Sequence, residues 1–344
     1  MEFDVCAFSR PLDDLPALAR EVEELGCSGM WFTESSHNPL LGTAVASTAT
    51  SQLTLGTGIA LAFPRSPMVT AQAAWDLAQA TDGRFILGLG TQVKAHMERR
   101  FSVPYGQPAR RLREYVHALR AIFRAFQGQE RLAFKGDFYS FSLLTDFFNP
   151  GPIDHPDVPI SIAGVNAGMA RTAGEICDGF HVHPFHTQKY LDEVIIPSVG
   201  EGATSAGRTR SDVALTVGVF AIVLEEDEQV VARQRDAARR QLAFYGSTPA
   251  YRSVFDVHGL GGKTAELHAL QAKGDIEGMT SVFTDDILDH FAVTASWDDL
   301  ADALLDRYRG RADRLFIYGP PGDWRRSPEI AERWRALASD IRMN

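Results

Sequence analysis

A short apolar run that ends in closely spaced glycines is the segment of the chain that most clearly suggests a chemical role. Residues 85–89 lead through Gly88 and Gly90 to Thr91. Glycines at the carboxyl end of a strand let backbone N–H groups approach an anion closely. Three cationic side chains follow within ten residues: Lys94, Arg99 and Arg100. The pattern indicates either an anion site or a strand-to-helix turn with a solvated basic helix start, and this segment alone leaves both open.

Histidines form a second group of residues with possible chemistry. His181 and His183 lie two apart in an apolar run, so on a strand they share one face, and His186 follows. Two imidazoles at this spacing could hold zinc in a metal-dependent hydrolase, which stays as an alternative. The other expected strand ends carry glycines or Thr91 instead of further ligands. We therefore predict no metal, with one or two histidines lining a substrate pocket and another packed in the interior.

Bulk composition limits the function classes. The chain has 344 residues, a net charge of −10 and 45% hydrophobic residues, which is ordinary for a folded enzyme-sized protein. The acidic balance argues against a nucleic-acid partner. Its three cysteines show no metal or redox spacing, which favours a reducing compartment. There is no apolar stretch of membrane length and no leader-like start, so we expect a cytoplasmic protein without membrane contact.

Apolar runs alternate with amphipathic segments along the chain and predict eight strands. They are 3–8, 29–34, 53–61, 85–91, 159–164, 179–183, 213–224 and 314–318. Helical periodicity occurs between them, for example over 112–126, and Ser296 is typical of a helix N-cap. Eight strand–helix units predict an α/β fold, a (β/α)8 TIM barrel with a single domain over 1–344.

Such a barrel needs about 250 residues, so about a hundred are surplus. We assign the surplus to two insertions, approximately 128–157 after strand four and 246–291 before strand eight. Both are expected to cover the catalytic face. Their aromatic residues suit an apolar lid, which would exclude water and favour an apolar or mixed substrate.

Several motifs resemble the bacterial-luciferase-like superfamily, and specifically its class of F420-dependent oxidoreductases. The motifs are GMWFTE at 29–34, LTLGTGI at 53–59, GRF at 83–85 with GLGT at 88–91, AGVNAGM at 163–169, CDGF at 177–180 and FYGSTPAY at 244–251. Each is weak alone, but their order and spacing cover nearly the whole chain. The resemblance implies a barrel that binds the 5-deazaflavin F420, or alternatively FMN, at the carboxyl ends of its strands.

The resemblance also implies which residues hold the cofactor. A non-prolyl cis peptide is expected between Gly58 and Ile59, against one face of the cofactor ring. Thr91, Gln92 and Lys94 are expected near its ribityl hydroxyls or phosphate, with Arg99 and Arg100 near the acidic tail. The phosphate is expected at the helix start formed by Gly164, Asn166, Ala167, Gly168 and Met169. Asn166 replaces a small residue there, which we attribute to the tolerance of asparagine for left-handed backbone.

Catalytic and substrate residues follow from the same resemblance. Glu34 or His37 is expected to handle the proton that accompanies hydride transfer. His37 comes three residues after the acid, whereas many deazaflavin members place histidine next to it. His181, His183, His186 and Tyr245 are expected at the substrate pocket of a small molecule, and His186 in place of a lysine argues against a sugar phosphate.

Two alternatives keep the same fold. One is an FMN-dependent monooxygenase that uses reduced flavin and oxygen. The other is a catalytically silent flavin-binding protein. A homodimer through the apolar segment 67–80 is also expected by analogy with the family.

Overall fold

Eight parallel strands close into a barrel in the computed structural model, which describes residues 1–319, 323–325 and 327–343. The strands of the described part are β1 (Glu2–Ala7), β2 (Gly29–Phe32), β3 (Thr54–Thr57), β4 (Ala60–Leu61), β5 (Phe85–Gly90), β6 (Phe134–Lys135), β7 (Ser140–Phe141), β8 (Ile160–Gly164), β9 (Gly179–Val182), β10 (Ala214–Leu224), β11 (Ala292–Ser296) and β12 (Arg314–Ile317). The barrel runs in the order β10, β12, β1, β2, β3, β5, β8, β9, and β9 pairs with β10. The predicted TIM barrel is confirmed.

Helices surround this barrel. They are α1 (Leu15–Glu24), α2 (Pro39–Ser47), α3 (Pro67–Ala80), α4 (Lys94–Arg99), α5 (Pro108–Phe126), α6 (Ala167–Ile176), α7 (Gln188–Tyr190), α8 (Ile196–Ser205), α9 (Glu228–Gly246), α10 (Arg252–Asp256), α11 (Gly262–Lys273), α12 (Ile276–Ser281), α13 (Asp285–Phe291), α14 (Leu300–Tyr308) and α15 (Pro328–Met343). A π-helical segment, Leu191–Ile195, joins α7 to α8. Short 3-10 helices cover Asp146–Phe148, Arg210–Asp212 and Pro249–Tyr251.

Two sequence predictions about the strands were wrong in detail. The run 53–61 is not one strand, because β3 and β4 are separated at Gly58 and Ile59. Strand β11 was missed, since its short sequence is only weakly apolar and Ser296 suggested a helix start. Ser296 instead ends β11, and its hydroxyl accepts a hydrogen bond from the Asp299 N–H (3.2 Å) just before α14.

Large rings fill the barrel interior where facing strands carry glycine. A Cβ atom added to Gly56 would lie 2.7 Å from Cε3 of Trp31, and one added to Gly218 would lie 2.6 Å from Cζ of Phe316. Trp31 and Phe316 are buried together with Cys6. The glycines therefore provide the space that the two rings occupy.

An ion pair lies in the same interior. Asp4 is completely buried and accepts hydrogen bonds from Arg314 Nε (2.7 Å) and Nη2 (2.8 Å). The Trp31 indole N–H also donates to Asp4 (2.8 Å). These bonds join β1, β2 and β12 and satisfy a buried carboxylate that would otherwise be costly.

The first surplus segment lies along the outside of the barrel. We call residues 128–157 the strap. Glu114 on α5 accepts hydrogen bonds from the N–H groups of Asp137, Phe138 and Tyr139. Further along, the carbonyl of Gly151 accepts from the indole of Trp75 on α3 (3.0 Å). These contacts attach the strap to α3 and α5, which does not support the expectation that it covers the catalytic face.

The second surplus segment lies over the carboxyl ends of β8 and β9. We call residues 246–291 the helical insertion, which contains α10 to α13. Ser253 on α10 donates to the Asn166 side chain after β8 (3.2 Å), and the Tyr251 ring lies 5.0 Å from that of His183 after β9. This segment therefore contacts two loops at the face where (β/α)8 barrels hold their active sites.

Other bulk features are simple. All three cysteines are free and buried, and burial raises the pKa of the Cys27 thiol to about 12. Across the described residues, no helix has the length and apolar character needed to cross a membrane.

Candidate active site at the carboxyl end of the barrel

The loop after β8 presents a helix start to the barrel mouth. Helix α6 begins at Ala167, and the carbonyl of its N-cap residue Asn166 accepts from the Met169 N–H (3.0 Å). Among the described residues, the N–H groups of Ala167 and Gly168 have no partner. A Cβ atom on Gly168 would have no heavy atom of the described residues within 4 Å, so these residues leave the space beside this turn open. Gly164 is different, because an added Cβ would lie 2.6 Å from the Met169 side chain. The loop is therefore tightly packed at Gly164, and its N–H donors are accessible at the start of α6.

Asn166 has a hydrogen-bond partner that we did not predict. Its backbone is extended (φ −96°, ψ 155°), so the tolerance of asparagine for left-handed backbone does not explain its presence here. Its side chain accepts a hydrogen bond from Ser253 in the helical insertion (3.2 Å) instead of capping α6. The asparagine is therefore suited to connecting the helix start to the insertion above it.

The Gly58–Ile59 peptide bond is cis, as the resemblance implied. The Gly58 N–H donates to the carbonyl of Phe32 (2.8 Å), and the Glu34 N–H donates to the carbonyl of Ile59 (3.2 Å). The Ile59 side chain lies over Gly90, where an added Cβ would be 2.5 Å from Cδ1. The ends of β2, β3 and β5 are thereby packed together at the mouth.

Glu34 is mainly an acceptor for its neighbours. Arg65 donates to both of its carboxylate oxygens (2.7 and 2.8 Å), and the Leu61 N–H donates to Oε2 (2.6 Å). Both side chains are largely buried, with 9% of Glu34 and 15% of Arg65 exposed. Because both oxygens are occupied, the geometry gives no support to the expected role of Glu34 in proton transfer. Arg65 carried no local sequence signal that would have predicted this pairing.

His37 lies on an exposed loop at the same rim. The loop is held by hydroxyl groups, since Ser9 and Ser35 are 2.5 Å apart and Ser36 donates to Ser9 (3.0 Å). Arg100 donates to the carbonyl of Ser35. The structure leaves the His37 side chain in solvent, so its expected role stays a prediction.

The residues after β5 lie at the rim of the barrel. Thr91 and Gln92 are half-buried at the mouth, and Gln92 has a positive φ of 56°. The Gln92 side chain accepts from the Val93 N–H (3.0 Å). Lys94 begins α4 with 69% of its side chain exposed and lies 3.9 Å from Glu98, and Arg99 is also exposed. The cations therefore face solvent beside the mouth.

His181 packs in the barrel interior. Its ring lies edge-on to Trp31, with 4.7 Å between the centroids, and only 6% of the residue is exposed. Nε2 is buried without a hydrogen-bond partner among the described residues. Burial, together with the charge of Arg314, lowers the pKa of His181 to about 3. This is the interior histidine of the predicted pair, so its assignment to the substrate pocket is not supported.

His183 directly follows β9, at the mouth. Its ring is half-buried between Tyr245 (4.6 Å) and Tyr251 (5.0 Å). The Phe185 N–H donates to Nδ1 (3.0 Å). Burial and the neighbouring His186 lower the pKa of His183 to about 3, so the ring is neutral near pH 7.

His186 is a structural residue. It is 2% exposed, its Nδ1 lies 3.0 Å from the carbonyl of His183, and its Nε2 lies 3.2 Å from the Tyr308 hydroxyl. Since both ring nitrogens have partners, His186 does not line the mouth as we expected.

Tyr245 is in contact with Tyr318, a site residue that the sequence analysis did not predict. Its hydroxyl is hydrogen-bonded to that of Tyr318, which follows β12. The Tyr318 ring also packs against Phe8 (4.7 Å) and Phe220 (5.3 Å). Burial raises the pKa of both phenols, so both stay protonated near neutral pH. The position of Tyr318 directly after the last barrel strand was the signal that could have identified it.

These residues lie at or near the carboxyl ends of the barrel strands. The strand ends bring together small residues, neutral polar groups and aromatic rings, with a helix start on one side. In the part of the chain that the structure describes, no three His, Cys, Asp or Glu residues are grouped so that they could hold a metal ion.

The fold and this site define a barrel protein of the luciferase-like class. The family model described as luciferase-like monooxygenase matches residues 1–314, and the chain belongs to that family. An uncharacterised protein of Mycobacterium tuberculosis is 43% identical over 294 residues, which is 86% of each chain. A 5,10-methylenetetrahydromethanopterin reductase of Archaeoglobus fulgidus is 25% identical over 318 residues, 90% of each chain.

Solved structures show the same fold. A coenzyme F420-dependent tetrahydromethanopterin reductase of Methanopyrus kandleri has a TM-score of 0.79 at 19% identity, over 99% of this chain and 98% of the other. An F420-dependent secondary alcohol dehydrogenase has a TM-score of 0.74 at 18% identity, with the same coverage. The FMN-bound oxygenating constituent of a diketocamphane monooxygenase of Pseudomonas putida has a TM-score of 0.67 at 15% identity, also with that coverage.

Proposed function

We propose that this protein is an F420-dependent oxidoreductase that transfers a hydride between the deazaflavin and a small organic substrate. The observation that carries the proposal is the open helix start at Gly168, which lies at the same barrel face as the Gly58–Ile59 strand end and Thr91. The similarity to reductases that depend on F420 supports this cofactor, while the similarity to an FMN protein keeps FMN as the alternative.

Named residues would hold the cofactor. The N–H groups of Ala167 and Gly168 favour a phosphate, because the positive end of the helix dipole points toward it. Thr91 and Gln92 offer polar groups to hydroxyls along the cofactor. Lys94 and Arg99 are exposed cations that suit an acidic tail, a feature of F420 that FMN lacks. When bound, F420 supplies the hydride chemistry at its ring carbon C5.

The remaining residues position and shield the reacting groups. Glu34 and Arg65 hold the β2 end against Leu61, so we assign Glu34 a positioning role. Tyr245 and Tyr251 bring aromatic surface over the mouth beside His183. His37, on its exposed loop, is the group with free access to solvent protons. These roles suit a substrate with apolar surface.

Titration of the purified protein with F420 and, separately, with FMN tests the proposal. We expect saturable F420 binding, followed by cofactor absorbance change with a panel of alcohols, aldehydes and enones. Tight FMN binding without F420 binding would replace the proposal by the monooxygenase alternative. Binding without turnover over the whole panel would favour a silent flavin-binding protein.

The helix start is tested by Gly168→Leu. The new side chain would enter the open space beside the first turn of α6, so we expect F420 binding to weaken at least about tenfold. Gly262→Leu is the matched control, because Gly262 also lies in the first turn of a helix with open space around its Cβ position. Equal affinity of both variants and the unmodified protein would contradict a phosphate site at α6.

A further inference from the structure

The turn after β9 holds one imidazole in a fixed orientation. Phe185 is fully buried, and its ring packs against Phe291 (4.9 Å) and Phe255 (5.3 Å). His186 bonds back to the carbonyl of His183 and onward to Tyr308. The turn is therefore anchored on both sides, and the His183 ring has little freedom to reorient.

Hydrogen bonding fixes where the His183 proton lies. Nδ1 accepts from the Phe185 N–H, so in the neutral ring the proton is on Nε2. Nε2 has no hydrogen-bond partner within the part of the chain that the structure describes. A neutral imidazole with this tautomer is a donor at the mouth and is already protonated, so it does not act as a base there.

A second neutral donor lies beside it. The Tyr245 ring contacts the His183 ring (4.6 Å), and its hydroxyl is bonded to that of Tyr318. In the hydrogen bond between the two hydroxyls, one hydroxyl donates its proton and the other accepts. The proton of the accepting hydroxyl can then be donated to another acceptor. Gln241 also interacts with the Tyr245 hydroxyl.

We propose that His183 and the Tyr245–Tyr318 pair form a two-donor site for the oxygen atom of a carbonyl or alcohol substrate with an apolar body. This inference rests on the proposed function for its place in turnover. The surrounding rings of Phe8 and Tyr251 provide apolar surface. Among the described residues, the neighbours in ring or hydrogen-bond contact with His183, Tyr245 and Tyr318 are uncharged. The site therefore suits a neutral oxygen that gains negative charge as its carbon is reduced.

The proton balance of the step is straightforward. During carbonyl reduction the substrate carbon receives a hydride, whose electron pair comes from the C–H bond that breaks on the proposed cofactor and forms the new C–H bond. The electron pair of the C=O π bond moves to the oxygen and forms the new O–H bond there. The oxygen takes its proton from the tyrosine pair, which water reprotonates. His183 keeps its proton and polarises the carbonyl by donating a hydrogen bond, as neutral imidazoles can do.

Nuclear magnetic resonance of 15N-histidine-labelled protein tests the donor without cofactor. The His183 signal is assigned by its loss in His183→Gln. We expect a neutral ring protonated at Nε2 at pH 7, and a shift of that N–H with cyclohexanone but not with methylcyclohexane, which has a similar shape and no oxygen. A proton on Nδ1, a charged ring at pH 7, or equal responses to the two probes would overturn the proposal.

Kinetics of the F420-loaded enzyme provide the second arm. We expect His183→Gln and Tyr318→Phe each to lower kcat/KM for carbonyl reduction about 10- to 100-fold, with F420 affinity retained. Tyr139→Phe on the strap is the control for loss of a phenol hydroxyl, and His117→Gln on α5 is the control for loss of an imidazole. We expect kcat/KM to be nearly unchanged in both controls. Unchanged kcat/KM in His183→Gln would overturn the proposal. Failure of the unmodified protein to bind F420 would contradict the proposed function alone, since the cofactor-free resonance test still decides the oxygen site.

Discussion

At the scale of single residues, the partner of a side chain decides its role more than its type does. Glu34 is an acidic residue at a strand end, which is a typical position for proton transfer. Its bonds to Arg65 and Leu61 instead make it a brace between β2 and the segment that follows β4. His183 and Tyr318 differ from Glu34. Nε2 of His183 has no hydrogen-bond partner among the described residues, and the Tyr318 hydroxyl is bonded to that of Tyr245.

A double-mutant cycle tests the brace. Removing one partner of a largely buried ion pair costs about 3–5 kcal/mol, so we expect Glu34→Gln and Arg65→Met each to lower the free energy of unfolding in that range. The double variant should lose less unfolding free energy than the sum of the two single losses, because the two side chains interact directly. Urea unfolding gives these values. If only Glu34→Gln altered the pH profile of kcat, a role for Glu34 in proton transfer would stand instead.

At the scale of elements, strands and helices were predictable because their periodicity is local. The sequence predicted all eight barrel strands with ends within two residues of those in the structure, apart from the break between β3 and β4. That break depends on how β3 fits between β2 and β5, which no local pattern shows. The path of the strap was also missed, since it depends on Glu114 and Trp75, residues outside the segment.

The fit between glycine and ring in the barrel interior gives an element-scale prediction. In Gly56→Ala the new methyl group would collide with Trp31, whose own ring is buried among other strands. Overpacking of this kind costs about 1–3 kcal/mol, and we expect a loss of that size in the free energy of unfolding. Gly262→Ala, in open space on α11, should be neutral or slightly stabilising. Equal effects of the two substitutions would show that the interior is loosely packed.

At the scale of the whole molecule, buried histidines link folding to pH. Burial lowers the pKa of His181 to about 3 and that of His186 to about 4, whereas an unfolded histidine titrates near about 6.5. Below pH ~6.5 the unfolded chain therefore binds protons that the folded chain does not. The free energy of unfolding is highest above this pH and falls as the pH decreases toward 4, by up to about 1.4 kcal/mol per pH unit for each histidine.

Urea unfolding between pH 7.5 and 5.5 measures this dependence. We expect His181→Leu to show a shallower fall than the unmodified protein, because one buried proton-binding group is absent. Its stability at pH 7.5 should be retained, since Nε2 of His181 has no hydrogen-bond partner in the described part of the chain. His96→Gln, at an exposed site on α4, should leave the slope unchanged. A slope equal to that of the unmodified protein in His181→Leu would contradict the linkage.

The expected homodimer and cytoplasmic location stay predictions. The apolar residues of 67–80, which suggested a dimer surface, are largely buried within the chain itself. On α3, Ala71, Ala74 and Trp75 are buried, and Trp75 packs against Phe123 and Phe126 of α5. A hydrophobic helix predicts burial, and the sequence does not say against which surface.

The sequence by itself determined the alternation of strands and helices, the glycines at the strand ends and the family to which the chain belongs. These features are local, since they depend on residue spacing and on backbone positions where only small side chains fit. The tertiary structure alone decided that Glu34 meets Arg65, that His183 faces the mouth while His186 is buried, and that Tyr318 joins Tyr245. Such pairings join residues distant in sequence, and they are fixed by how the closed barrel brings the ends of its strands together.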